Sequence, residues 1–216
     1  MKIFLDTAET DVVRKHWKTG LIDGLTTNPS LIRKSGRKHE EVYQEFKDIG
    51  LTDISMEVIG NTENMISEGK RLHKKFGKCS TIKVPCTYEG LQACAHLSVE
   101  GIKVNVTLIF SQAQAILAAK AGAKYVSPFV GRVDDNSFGG LCLVKDIAKV
   151  YREHMVTKTE VLAASLRGVR DVGRAFEYGA DIVTMPPAVF EGMYNHILTD
   201  KGLDQFDKDY EASIQQ

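Results

Sequence analysis

The period of hydrophobic and polar positions along this chain switches repeatedly. Short runs of β-branched and apolar residues, with side chains alternating between two faces, give way to stretches whose apolar residues recur at three- and four-residue steps. The runs are KIFLD (2–6), GLTTN (24–28), ISMEV (54–58), STIKV (80–84), KVNVTLIF (103–110), YVSPFV (125–130), EVLAAS (160–165) and DIVTM (181–185). Between them lie helical stripes such as Val12, Val13, His16 and Trp17, then Met65, Gly69, Leu72 and Phe76, then Leu141, Val144, Ile147, Ala148 and Tyr151. Such alternation predicts repeated βα units around a parallel sheet.

The prolines sharpen the boundaries. Pro29, Pro85, Pro128, Pro186 and Pro187 fall in the second, fourth, sixth and eighth runs or at their exits, where a residue without an N–H ends strand pairing. Eight runs with seven intervening helical segments predict an α/β fold, a closed (β/α)8 TIM barrel rather than an open doubly wound sheet, in one domain over residues 1–216. A last stripe, Leu203, Phe206, Tyr210 and Ile214, predicts an additional C-terminal helix over about 203–216. That helix is expected to pack across the barrel or against a neighbouring subunit of a homo-oligomer.

Composition narrows the partners. The 216 residues are 43% hydrophobic, ample for a core, and 28 basic residues balance 28 acidic ones. No long basic block is interleaved with aromatics, so neither nucleic acid nor a membrane surface is an expected partner. The opening MKIFLDT reads as a strand, not a leader, and no apolar run spans a bilayer, which predicts a cytoplasmic protein. Cys79, Cys86, Cys94 and Cys142 form no C-x-x-C pair and read as core thiols.

Candidate chemistry enters through one strand. In STIKVP, Ile82 and Val84 share a face while Thr81 and Lys83 share the other; covered on both sides, Lys83 faces inward, where an ammonium is costly. A lysine snorkelling from the strand end into solvent is the plain alternative. The other strand exits, where a barrel carries its chemistry, tilt the balance: Asp6, Thr27, Asn28, Glu57, Asn105, Thr107, Ser127, Phe129, Arg132, Ser165 and Arg167. Singly, Asp6 reads as a helix cap, Asn28 as a turn residue before proline, Glu57 as a solvated strand end and Thr107 as an ordinary strand residue. Together they surround one lysine with carboxylates and amides. That set suits Schiff-base chemistry, in which the free amine attacks, one carboxylate moves a proton on the substrate and another handles the water lost as the imine forms. Arg132 and Arg167 offer planar forks for phosphate, and Ser165 stands near an expected helix start. Neither metal nor cofactor is expected, since His16, His39, His73, His96, His154 and His196 lie in or beside helical stripes and no glycine-rich loop follows a strand.

In order along nearly the whole chain, FLDTA, TTNPSLI, TIKVP, NVTLIF, YVSPFVGRVDD and AASLR resemble the successive motifs of the transaldolase family. The likeness is close to the small single-domain branch that includes the fructose 6-phosphate aldolases. The resemblance implies that Lys83 is the Schiff-base lysine, that Asp6 is the base of carbon–carbon cleavage, and that Glu57 and Thr107 hold a catalytic water. It implies hydroxyl binding of a dihydroxyacetone unit by Asn28, Asn105 and Ser127, and phosphate binding by Arg132, Ser165 and Arg167. Aldolases of this branch resemble one another in having Gln and Tyr where this chain has Glu57 and Phe129. The implied activity is therefore transaldolase, within the pentose phosphate pathway, on sugar-phosphate substrates. An aldolase releasing free dihydroxyacetone, and a non-catalytic sugar-phosphate-binding barrel, stay open as alternatives. The basic loop RKSGRK (33–38) reads as a solvated loop on the same rim.

Overall fold

A computed structural model describes residues 1–214. Its strands are β1 (Lys2–Asp6), β2 (Gly24–Thr26), β3 (Ile54–Glu57), β4 (Ser80–Pro85), β5 (Val104–Ile109), β6 (Tyr125–Pro128), β7 (Glu160–Ala163) and β8 (Ile182–Met185). They pair in parallel in chain order, and β8 returns to β1 to close the barrel. The helices are α1 (Thr10–Trp17), α2 (Pro29–Ser35), α3 (His39–Ile49), α4 (Thr62–Phe76), α5 (Tyr88–Val99), α6 (Gln112–Lys120), α7 (Val130–Asp135), α8 (Gly140–Glu153), α9 (Val169–Glu177), α10 (Pro187–Gly192) and α11 (Ile197–Ile214).

Two of the seven crossovers carry a pair of helices, where the pattern predicted one segment each. After β2, Asn28 caps α2, Pro29 occupies its first turn, and Gly36 at φ 70° stops it before α3 begins. After β6, α7 starts at once and is followed by α8. The expected stripes are the buried faces: Met65, Gly69, Leu72 and Phe76 in α4, and Val144, Ile147, Ala148 and Tyr151 in α8. Each large side chain so buried contributes about 1.5 to 3 kcal/mol.

Packing falls into two shells. Leu5, Ile82, Val84, Val104 and Val183 point outward into the layer between sheet and helices, while Phe4, Tyr125, Leu162 and Ile182 fill the barrel's interior. Phe4 meets Tyr125 edge to face with centroids 6.1 Å apart. Gly24 makes room for it, because a Cβ there would lie 2.6 Å from the Phe4 ring.

Ion pairs lock the amino-terminal end. Asp53 accepts from Thr81 Oγ1 at 2.7 Å, Lys103 Nζ at 2.7 Å and the Tyr125 hydroxyl at 2.8 Å. Glu160 bridges Lys2 at 2.6 Å and Lys124 at 2.7 Å. At the opposite end, β5 and β6 slip register between Val106 and Ile109, and Leu108 takes a left-handed φ of 59° there, a strained bulge beside the mouth.

The C-terminal helix departs from expectation in start and position. It begins at Ile197, ahead of the Leu203 stripe, and none of its residues is buried, with Phe206 70% exposed. Packing across the barrel is thereby overturned: the stripe faces solvent because α11 runs off the barrel rather than over it. Gln215 and Gln216, the end of the expected segment, lie outside the described residues. Among the described residues, no helix is long and apolar enough to cross a membrane.

Candidate active site

Parallel register aligns the chemistry. Glu57 on β3 stands beside Lys83 on β4, which stands beside Asn105 on β5, so three neighbouring strands set a carboxylate, an amine and an amide in one row. Lys83 is 5% exposed. Its Nζ donates to the Thr27 carbonyl at 3.0 Å and stands 3.0 Å from Glu57 Oε2. The second contact is an ion pair without hydrogen-bond alignment, so among the described residues the buried Oε2 has no hydrogen-bond partner. Thr107 Oγ1 is likewise buried and unpartnered. Two polar atoms near one amine thus retain unused hydrogen-bonding capacity, which buried groups in proteins rarely do.

A cavity of about 120 Å³ opens over this row. Of the residues expected from the sequence, Asp6, Asn28, Lys83, Thr107, Ser127, Phe129, Arg132 and Ser165 line it. Asn28 combines its plain and functional readings: Oδ1 accepts from Leu31 N–H at 3.0 Å as the cap of α2, which leaves its amide hydrogens to the cavity. Ser127 donates to Asn105 Oδ1 at 2.7 Å, and Asn105 donates to Ser55 Oγ at 3.2 Å. Arg132 lies over the Phe129 ring at 5.0 Å, and Phe129 meets Phe110 edge to face. Ser165 takes a left-handed φ of 59°, and α9 begins at Val169, directly after SLRG, where a helix start was expected.

Four expected residues stand off the cavity wall; Thr27 meets Lys83 through its backbone carbonyl, and its hydroxyl donates to the Ser55 carbonyl at 3.1 Å. Glu57 reaches it only through Lys83, and Asn105 only through Ser127. Arg167 is turned to Asp135, which grips both terminal nitrogens of its guanidinium in the bidentate geometry a phosphate would use. Gly131 permits this arrangement, because a Cβ would lie 2.5 Å from the Ser165 carbonyl and 2.7 Å from Arg167 Nε. The stretch expected as a basic loop is partly helical, since Arg33, Lys34 and Ser35 end α2, and Arg37 beyond it is held by Glu45.

Two polar wall residues escaped the sequence reading. Thr26 and Thr184 line the cavity from β2 and β8, and Thr26 Oγ1 donates to Asp6 Oδ1 at 2.8 Å. Their signal was available in the alternation, since Thr184 shares the inward face of Ile182 and Thr26 that of Gly24. Asp6 titrates under the influence of this setting. Burial raises its carboxyl above the ordinary range, the Lys83 ammonium and the Thr26 hydrogen bond pull it down, and the Glu57 charge pushes it up again.

Fold and cavity together define a (β/α)8 barrel with a buried, carboxylate-paired lysine at its carboxyl-terminal mouth. The family model for transaldolase/fructose-6-phosphate aldolase matches residues 3–216. Curated relatives named "Probable transaldolase" include one from Caulobacter vibrioides (strain NA1000 / CB15N), 51% identical over 100% of this chain and 99% of its own. Another, from Nitrosopumilus maritimus (strain SCM1), is 48% identical over 98% of this chain and 95% of its own. The chain belongs to the transaldolase/fructose-6-phosphate aldolase family. Solved structures of like fold include a mutant flavocytochrome b2, with a TM-score of 0.64 at 15% identity, covering 86% of this chain and 56% of that one. That likeness concerns the barrel alone.

The raised carboxyl of Asp6 has a stability consequence. A carboxyl that holds its proton more tightly folded than unfolded makes folding less favourable as pH rises from its unfolded value through its folded one. Near neutral pH, Asp6→Asn should therefore melt at a higher temperature than the unaltered protein, with the gain shrinking in acid as Asp6 itself becomes protonated. Calorimetric scans at both pH values check this, and equal or lower stability of the variant near neutrality would contradict it.

Proposed function

We propose that this chain is a cytoplasmic transaldolase of the pentose phosphate pathway. It moves a dihydroxyacetone unit from a ketose phosphate, fructose 6-phosphate or sedoheptulose 7-phosphate, to an aldose phosphate, erythrose 4-phosphate or glyceraldehyde 3-phosphate. The observation that carries the reading is the buried Lys83 amine, opening on a cavity between the carboxylates of Asp6 and Glu57. Binding alone requires no such amine.

The Lys83 amine adds to the ketone carbon, giving a carbinolamine that loses water to form the imine. Glu57 and Thr107 hold that water, consistent with the unpartnered Oε2 and Oγ1. Asp6 takes the proton of the hydroxyl on the far carbon of the scissile bond; that carbon becomes a carbonyl as the carbon–carbon bond breaks, the bond's electrons form the enamine, and an aldehyde leaves. The acceptor aldehyde then takes the enamine's electrons and recovers the proton from Asp6. Hydrolysis of the new imine frees the product and the amine. Asn28 and Ser127 orient the transferred unit's hydroxyls, with Asn105 holding Ser127 in place. Arg132, Ser165 and Arg167 meet the phosphate, Arg167 once it has left Asp135. Phe129 favours transfer over release, because a phenyl ring offers no hydroxyl to pass a proton to the enamine.

The same reading includes a homo-oligomer. Leu203, Phe206, Tyr210 and Ile214 are all more than half exposed along α11, and a second copy would cover them.

Borohydride with fructose 6-phosphate should leave a reduced adduct on Lys83, and Lys83→Met should fold yet lose turnover. An adduct mapped by peptide analysis to Lys103 or Lys124, which serve the ion pairs at the barrel's other end, would sink the assignment.

For the choice between transfer and release, the unaltered protein should liberate little dihydroxyacetone without an acceptor aldehyde, and Phe129→Tyr should raise that release while lowering transfer. Release as fast as transfer in the unaltered protein would establish the aldolase reading instead. Deleting the chain from Leu203 onward should lower the mass measured by light scattering; an unchanged mass would remove α11 from the interface.

A further inference from the structure

Two threonines meet over the interior of the barrel. Strands β2 and β8 flank β1, and the register sets Thr26 beside Asp6 and Thr184 beside Phe4. Thr26 Oγ1 lies 2.8 Å from Asp6 Oδ1 and 2.8 Å from Thr184 Oγ1, and both threonines are buried, at 3% and 2% exposure.

Proton counting gives this chain a direction. An ionised carboxylate only accepts, and a hydroxyl has one proton to give. While Asp6 is ionised, Thr26 spends its proton on Oδ1, so Thr184 must be the donor at the second contact. When Asp6 holds a proton it can donate to Thr26, whose own proton then turns to Thr184. Both arrangements keep both hydrogen bonds, and no heavy atom has to move.

We propose that Thr184 is a positioning residue for Asp6, acting through Thr26: the three side chains form one hydrogen-bond chain whose polarity reverses each time Asp6 takes or returns the substrate's proton. The proposal rests on Asp6 being the proton acceptor of the transaldolase reading. Losing the Thr184 hydroxyl removes a hydroxyl–hydroxyl bond from both arrangements, but in the ionised one that bond polarises the Thr26 hydroxyl and strengthens its charge-assisted bond to Asp6, so the ionised form loses more. The remaining groups facing Asp6 are Lys83 from β4 and Glu57 from β3, with Arg132 on the same cavity wall. Strands β2 and β8 carry no titratable side chain, and Glu191 of α10, which packs near β1, is engaged by Lys15 and His16.

The test is carbon-13 NMR titration of the Asp6 carboxyl, assigned by its loss in Asp6→Asn, in the unaltered protein, Thr184→Val and Thr184→Ser. Valine at 184 should move the midpoint upward and serine should restore it. Thr26→Val, which cuts the chain next to the carboxyl, should move it further, and it serves as the second test should the valine at 184 disturb packing. A midpoint unmoved by Thr184→Val in a folded protein, even where Thr26→Val moves it, overturns the proposal. In turnover, Thr184→Val should lower kcat roughly three- to tenfold with little change in KM, and shift the acidic limb of the rate profile in the same direction as the titration. Shifted titrations in a protein without transaldolase activity would uphold the hydrogen-bond chain and reject the catalytic reading on which its use depends.

Discussion

An ammonium held out of water is the constraint around which the mouth of this barrel is organised. Lys83 is almost fully enclosed, and its neighbours compensate: a carboxylate 3.0 Å away on the adjacent strand and a backbone carbonyl at the same distance. Such a pair adds little net stability, yet removing one partner strands the other, so Glu57 and Lys83 are bound to each other's presence. The second carboxylate, Asp6, is kept farther off and answers more to burial than to the amine. Two acids with different surroundings can carry different tasks at one pH.

Backbone strain collects at the same mouth. Leu108 and Ser165, on opposite sides of β6 and its exit, both take left-handed φ values that cost an ordinary side chain about 1 kcal/mol or more. Leu108 supplies the extra residue that lets β5 run on to pair with Pro128, and Ser165 turns the chain so that its carbonyl meets Gly131 N–H at 3.0 Å. The aromatic face of Phe129 and the guanidinium of Arg132 rest on the short helix that follows.

How much of this was legible in the sequence depends on the range of the physics involved. Strand alternation and helical stripes are local, so eight strands, the inward turn of Lys83 and most of the cavity wall could be read from neighbours in the chain. Strand ends were less legible, because Asn28 and Val130 are captured by helices starting immediately after β2 and β6. Contacts set by the three-dimensional path of the chain were not legible: Asp135 claims Arg167 across 32 residues, and although alternation turns Thr26 and Thr184 inward, their meeting across 158 residues depends on closure of the barrel. The solvent-facing course of α11 is of the same kind, since a stripe announces a face to be covered but not the surface that covers it.

The locked end of the barrel has an evolutionary corollary. Asp53 with Lys103, Thr81 and Tyr125, and Glu160 with Lys2 and Lys124, brace the strands at the end remote from the cavity. Strand order and register are therefore anchored by residues that lie off the cavity wall, and exchanges at the opposite rim leave that anchorage untouched. A lineage carrying this scaffold can explore new reactions by changing a handful of side chains on one face, with its capacity to fold insured by the other.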